Sequence, residues 1–220
     1  MNQRMQVWDV PTRVFHWLLA GSFAGAFLTA ESERYRDIHV VLGYTLLGLI
    51  AFRLVWGFVG SRYAQFRSFL FKPAEIAAYA VSMLKAKPAH YVGHNPAGSL
   101  SVFLLLALGI AVGISGYVIF QDIGGDALAE LHEMAAYFML TVVGLHLAGV
   151  LVSSLLHREN LVRSMITGSK PARPNEGIRR THAWLGVIMI VVVVAFWFGY
   201  PSMMQPDNNM AQTEQQHDND

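Results

Sequence analysis

The chain has 220 residues, 54% of them hydrophobic and 14% charged, with a net charge of +1 and a mean hydropathy of +0.37. Those values describe a polytopic membrane protein and exclude a soluble domain, and no nucleic-acid partner is expected. The absence of cysteine further excludes disulfides, iron–sulfur clusters, thiolate zinc sites and covalently attached c-type haem, so any metal centre must use the nine histidines.

Five apolar runs, near residues 12–30, 38–60, 98–120, 127–157 and 181–200, approach or exceed the ~20 residues needed to cross a bilayer. The expectation is an all-α, polytopic membrane helical bundle with five transmembrane helices, four of them forming a core. Residues 1–200 make one membrane domain, and the polar 201–220 tail, rich in Gln and Asn, is expected to be disordered. The opening V-W-D-V-P-T-R-V-F-H-W puts Pro11 and Thr12 at a helix start, with Trp8 and Trp17 at interfacial depth. His16 follows about one turn into the span. This first run lacks a small-residue cleavage site and is not read as a signal peptide.

A short polar loop leads to His39 at the outer end of the second helix, where Gly43 and Gly48 leave room for a bulky neighbour. Arg53 lies inside this apolar run and must either snorkel to the headgroups or meet an anion, such as a cofactor carboxylate. Residues 61–98 then include a short helix near 73–85 whose stripe of Ile76, Tyr79, Ala80 and Met83 suits a membrane surface. His90 and His94 come next, and H-N-P-A-G turns the chain into the third span.

The long run at 126–159 carries His132, His146 and His157, with no formal charge between Met134 and Leu156. An intramembrane histidine is costly and functional by default. Fourteen residues separate His132 from His146, which is ~21 Å of helix and nearly four full turns, so both leave one face at opposite depths. The fifth run has no internal polar group and reads as a packing and lipid-facing helix, with His182 at its inner interface. Met203, Met204, Met210 and His217 are explained by a solvated tail without a metal.

The basic residues are asymmetric. Thirteen of the sixteen Lys and Arg fall before the first span, between the second and third, or between the fourth and fifth; the opposite side has only Arg34 and Arg36 against eleven acidic residues. The positive-inside rule places the N-terminus in the cytoplasm and the C-terminus outside a bacterial inner membrane.

Depth then pairs the histidines. His16 lies near the cytoplasmic face and matches His146, while His39 lies near the outer face and matches His132. His157 is ~16 Å beyond His146, outside the hydrocarbon, and is rejected as a ligand along with His182. No acid stands near the pairs at mid-depth to complete a zinc site. Haem needs two axial nitrogens, an apolar slot and cations for its propionates, which Arg53 on the inner side and Arg34 or Arg36 outside could supply. With both axial positions filled, electron transfer is the natural task.

Four ordered motifs are similar to a known family. They are W-D-V-P-T-R-V-F-H-W at 8–17; H-V-V-L-G-Y with R-L-V-W-G-F-V-G-S-R-Y-A-Q-F at 39–66; G-H-N-P-A-G at 93–98; and L-H-E-M-A-A-Y with G-L-H at 131–146. Together they resemble the bacterial cytochrome b561 family, in its branch of nickel-dependent-hydrogenase b-type cytochrome subunits. The resemblance implies two non-covalent haem b groups in a helical bundle, with ligands from the first, second and fourth helices: His16, His39, His132 and His146. It further implies exchange of electrons between the membrane quinone pool and a redox partner such as a c-type cytochrome or an oxidoreductase subunit. The competing readings are a self-contained membrane reductase of a small acceptor and a histidine-lined metal or proton transporter.

Overall fold

The computed structural model describes residues 3–85, 89–173 and 175–204. The expected disordered tail from residue 205 onward, with Met210 and His217, lies outside the described residues. Helix α1 (Val10–Thr29) starts where Asp9, held extended, accepts a hydrogen bond from the Thr12 amide at 2.8 Å while Pro11 occupies the first turn. Helix α2 (Arg36–Val59) returns alongside it. The short helix α3 (Pro73–Leu84) begins with Glu75 accepting from the Lys72 amide at 2.6 Å. Helix α4 (Pro96–Phe120) is capped by Asn95, which accepts from the Gly98 amide at 2.7 Å.

Gly124, at φ 107°, supplies the left-handed turn into α5 (Gly125–His157). At 33 residues this helix is ~50 Å long and outreaches a ~30 Å hydrocarbon core. The segment after it, read from sequence as a plain basic connection, instead forms α6 (Leu161–Thr167) and the strand β2 (Ser169–Ala172). That strand pairs antiparallel with β1 (Gln3–Gln6), in register from Gln3–Ala172 to Gln6–Ser169. Helix α7 (Ala183–Met204) completes the chain and runs past its expected end at residue 200.

Four of these helices, the α2, α4, α5 and α7 segments, are long and apolar enough to cross a membrane. At 20 residues α1 has the length, but Arg13 and His16 dilute its apolar character. Its place in the bundle comes from packing. One core takes Phe15 and Phe23 from α1, Leu46, Leu49 and Ile50 from α2, Leu106 from α4, Met139 from α5, and Met189 and Val193 from α7. Outward, large apolar side chains such as Leu145, Leu155 and Phe198 stay exposed, an arrangement suited to lipid as the solvent.

The helices adjoin unevenly. Helix α5 lies along α4, α2 lies between α1 and α4, and α7 lies along α1. Helix α5 makes little backbone contact with α1 or α2, and His39 of α2 faces His132 of α5 across this interval. The apolar stripe of α3 was expected on the membrane surface. It packs against α4, with Tyr79 buried.

Candidate functional site

At the outer end, α2 presents His39 and α5 presents His132, with ring centroids 6.4 Å apart at an interplanar angle of 73°. Two imidazoles bonded to one metal at ~2 Å, with ring centres a further ~1 Å back, stand roughly 6 Å apart. Each ring also has one nitrogen already engaged. His39 Nδ1 donates to the Ala26 carbonyl of α1 at 2.8 Å, and His132 Nδ1 lies 2.9 Å from Ser115 Oγ of α4. Nε2 of both is therefore the nitrogen left for a metal. A cavity of about 340 Å³ opens beside the pair, lined by Phe23, Phe27, Tyr44, Tyr137 and Phe120.

The cavity wall also includes Gly43, Gly113 and Gly116. A Cβ at Gly43 would meet nothing within 4 Å, so its missing side chain leaves open space, as the sequence suggested. The same wall carries the carboxylates of Glu31 and Glu133. Arg34 and Arg36, expected to supply cations here, are not part of it; Arg34 folds over Tyr35 at 5.6 Å. Nearby Asp122, Asp126 and Glu130 are exposed, so the outer rim is acidic.

At the inner end, His16 of α1 and His146 of α5 lie within electrostatic reach of one another. His16 Nδ1 is sealed from solvent and has no hydrogen-bond partner. Arg53 is only 3% exposed, which rules out snorkelling. Its guanidinium sits 4.7 Å from the Phe66 ring centroid and 5.9 Å from that of Phe69, and Nη1 is buried without a partner. A buried, unsatisfied guanidinium is a strong demand for an anion. Asp9 is near enough to influence it, but that carboxylate is already bonded to the Thr12 amide and to Trp56 Nε1 at 3.0 Å.

The donor set fits haem at both ends. Among the described residues no group of three or more His, Cys, Asp or Glu is placed to hold a metal ion, whereas a porphyrin brings four nitrogens of its own and asks the protein for two. The other histidines sit elsewhere. His157 bonds through Nδ1 to the Ser153 carbonyl at 2.9 Å and stacks edge-on with His90, and His182 packs against Trp56.

Four contributors escaped the sequence reading. Ser115 is a lone hydroxyl between glycines in G-I-S-G, a position in an apolar run that could have been questioned. Asp9 and Trp56 stand 47 residues apart and no spacing signal links them. His94 was read only as a loop residue, yet its ring lies 4.3 Å from Phe69 and 4.7 Å from Trp8, with Nδ1 sealed and unpartnered. The charges of Arg53, His16 and His146 all act on it, which places it beside the inner pair.

Comparison with known proteins shows the family of the chain. The chain is 23% identical over 224 aligned positions to a probable Ni/Fe-hydrogenase B-type cytochrome subunit of Rhizobium leguminosarum bv. viciae, covering 80% of this chain and 92% of that protein. A protein of the same description from Azotobacter vinelandii is 23% identical over 210 positions, covering 74% and 86%. The subunit described as Ni/Fe-hydrogenase 1 B-type cytochrome in Escherichia coli K12 is 25% identical over 145 positions, covering 53% and 60%. No solved structure matches. The family model for prokaryotic cytochrome b561 matches residues 7–168. That span begins at the buried turn before α1 and ends at the close of α6, taking in His16, His39, His132, His146, Arg53 and His94. The chain belongs to the prokaryotic cytochrome b561 family.

Proposed function

We propose that this membrane cytochrome carries two haem b groups per chain, one between His16 and His146 and the other between His39 and His132. It passes electrons between the quinone pool and a redox protein. The observation that carries the reading is the outer pair, whose ring centroids stand 6.4 Å apart with both Nδ1 atoms engaged and both Nε2 atoms available to hold a metal between them. Such iron exchanges single electrons without an open coordination position. The protein residues orient the imidazoles, exclude water with apolar walls, and present Arg53 to a propionate at the inner end. The names of the relatives favour a hydrogenase-type oxidoreductase subunit as the partner, with a c-type cytochrome as the other redox protein suited to the role. The charge asymmetry supports an inner-membrane location with the N-terminus in the cytoplasm.

A pyridine-haemochrome assay on the purified protein is expected to give two haem b per chain. His146→Ala should remove the inner group and His132→Ala the outer one, each leaving about one. His157→Ala and His182→Ala should retain both, since these rings are engaged away from the pairs. One haem or none in the unaltered chain overturns the reading.

A further inference from the structure

We infer that Ser115 of α4 is a positioning residue for the outer site: together with the Ala26 carbonyl of α1 it holds the two imidazoles in crossed planes. The inference rests on the two-haem reading above and adds the plane in which each outer ligand is held.

The crossed setting is built from local features of two helices that carry neither ring. The last turn of an α-helix leaves carbonyls without helical partners. At the end of α1 the Ala30 amide turns back to the Phe27 carbonyl at 3.4 Å, which leaves the Ala26 carbonyl to side chains. It accepts from the Thr29 hydroxyl at 3.1 Å and from His39 Nδ1 at 2.8 Å. On α4, Ser115 Oγ donates its single hydrogen to the Ala111 carbonyl at 2.7 Å. It therefore faces His132 Nδ1, 2.9 Å away, as an acceptor. Both Nδ1 atoms carry the ring proton, and Nε2 of each ring keeps the lone pair. The next residue completes the seat, since a Cβ at Gly116 would stand 3.0 Å from His132 Cε1. Hydrogen bond and close contact leave the His132 ring little rotation about its Cβ–Cγ bond.

Held in this way, the rings of His39 and His132 lie at 73° to one another with centroids 6.4 Å apart. The angle matters because an axial imidazole overlaps through its π system with the one iron d orbital directed across its plane. Parallel rings act on the same orbital and separate it in energy from its counterpart. Crossed rings act on one orbital each and leave the two nearly equal. A ring whose plane is fixed also keeps it through a change of oxidation state, so little of the ligand set reorganises when one electron is gained or lost. His16 of the inner pair has no such seat, because its Nδ1 has no hydrogen-bond partner. Ser115 touches no substrate and acts only through His132.

Low-temperature electron paramagnetic resonance of the oxidised, haem-loaded full chain tests this, with His146→Ala isolating the outer group. Crossed planes are expected to give a strongly axial low-spin signal dominated by one large g value, present in the unaltered chain and retained in His146→Ala. Adding Ser115→Ala should replace it by a rhombic signal with three resolved g values. The same change should speed loss of the outer haem to excess apomyoglobin by about tenfold, the usual scale for removing a partner of a metal-bound histidine. Ser115→Thr, which keeps the hydroxyl, should retain the axial signal and the slow loss. If Ser115→Ala takes up no outer haem, Ser115→Cys, a weaker acceptor of similar size, is measured instead and should change the signal in the same direction. A rhombic signal from the unaltered outer site overturns the inference while leaving the two-haem reading intact. So does an axial signal unmoved by loss of the hydroxyl, whatever the rate of haem loss. Absence of any low-spin signal from His146→Ala overturns the two-haem reading first.

Discussion

His94 is a polar residue outside the spans whose ring nitrogen Nδ1 is buried without a hydrogen-bond partner. Its ring is packed by Phe69 and Trp8. Burial, then the charges of Arg53, Lys170, His146 and His16, push its pKa from 6.5 down to about 3. The folded protein therefore keeps His94 neutral where an unfolded chain would protonate it. Above 6.5 neither state binds this proton and His94 has no pH-dependent effect. Between 6.5 and about 3 the unfolded state binds more protons, so stability falls as the pH falls. Thermal unfolding followed from pH 7 toward pH 4 should show a decline that His94→Phe flattens. The same slope in the variant would exclude His94 as its source. Lys170 makes the contrasting case. It too is buried, which lowers its pKa, but it faces Glu159 at 3.6 Å and donates to the Tyr91 carbonyl at 3.3 Å. Its charge has local partners.

Between helices, tolerance is set by what stands within a few ångströms. Ser115 and Gly116 are neighbours on α4, and both meet His132 of α5: the serine by hydrogen bond, the glycine by lacking a side chain. A Cβ at Gly116 would lie 3.0 Å from His132 Cε1, tighter than ordinary van der Waals contact. The ring has little freedom to yield, because its Nδ1 is tied to Ser115. Gly116→Ala is therefore expected to reduce haem retention at the outer site, read as a haem-to-protein ratio falling from two toward one. Gly48→Ala is the matched control on α2. Nothing lies within 4 Å of its added Cβ, and alanine in a helix is favoured over glycine by ~1 kcal/mol. It should retain both groups with unfolding unchanged or slightly later. Equal haem content in the two variants would show that His132 repositions freely. Elsewhere, single side chains tie helices together. Trp56 of α2 donates to Asp9 at the head of α1, and Trp197 of α7 donates to Thr45 of α2 at 2.9 Å.

For the molecule as a whole, the two faces differ in charge, and this bears on how electrons arrive. The outer rim exposes Asp122, Asp126 and Glu130 near the outer pair, while the basic residues collect at the other end. Exposed charges steer an oppositely charged partner over a range screened to ~8 Å at physiological salt. A basic, soluble c-type cytochrome added to sealed membrane vesicles should exchange electrons with the protein when the vesicles are right-side-out and not when they are inverted. The rate should fall as ionic strength rises, and replacing Asp122, Asp126 and Glu130 together by their amides should flatten that dependence. Exchange in the inverted vesicles alone would reverse the assigned topology. An unchanged salt dependence in the triple variant would move the docking site off this rim.

The amino-acid order by itself determined the membrane class, the long apolar helices and the spacing of the histidines along them. Those properties are one-dimensional: an apolar run long enough for the bilayer declares a span, and a rise of 1.5 Å per residue converts spacing into depth. Matching depths was enough to set His39 opposite His132, and in the folded chain the two rings stand 6.4 Å apart. Other decisions depended on rotation about the helix axes and on contacts between distant segments, which no local pattern encodes. Snorkelling was open to Arg53 on sequence grounds; packing under Phe66 and Phe69 buried it instead. The partners on the far nitrogens of the ligands, Ala26 and Ser115, come from helices other than those of the rings they hold. The pairing of β1 with β2 joins segments 169 residues apart from Gln3 to Ala172, and the approach of His94 to the inner pair closes a loop back onto α1 and α5. Only the assembled bundle specifies these, because each requires two helix faces to be chosen together.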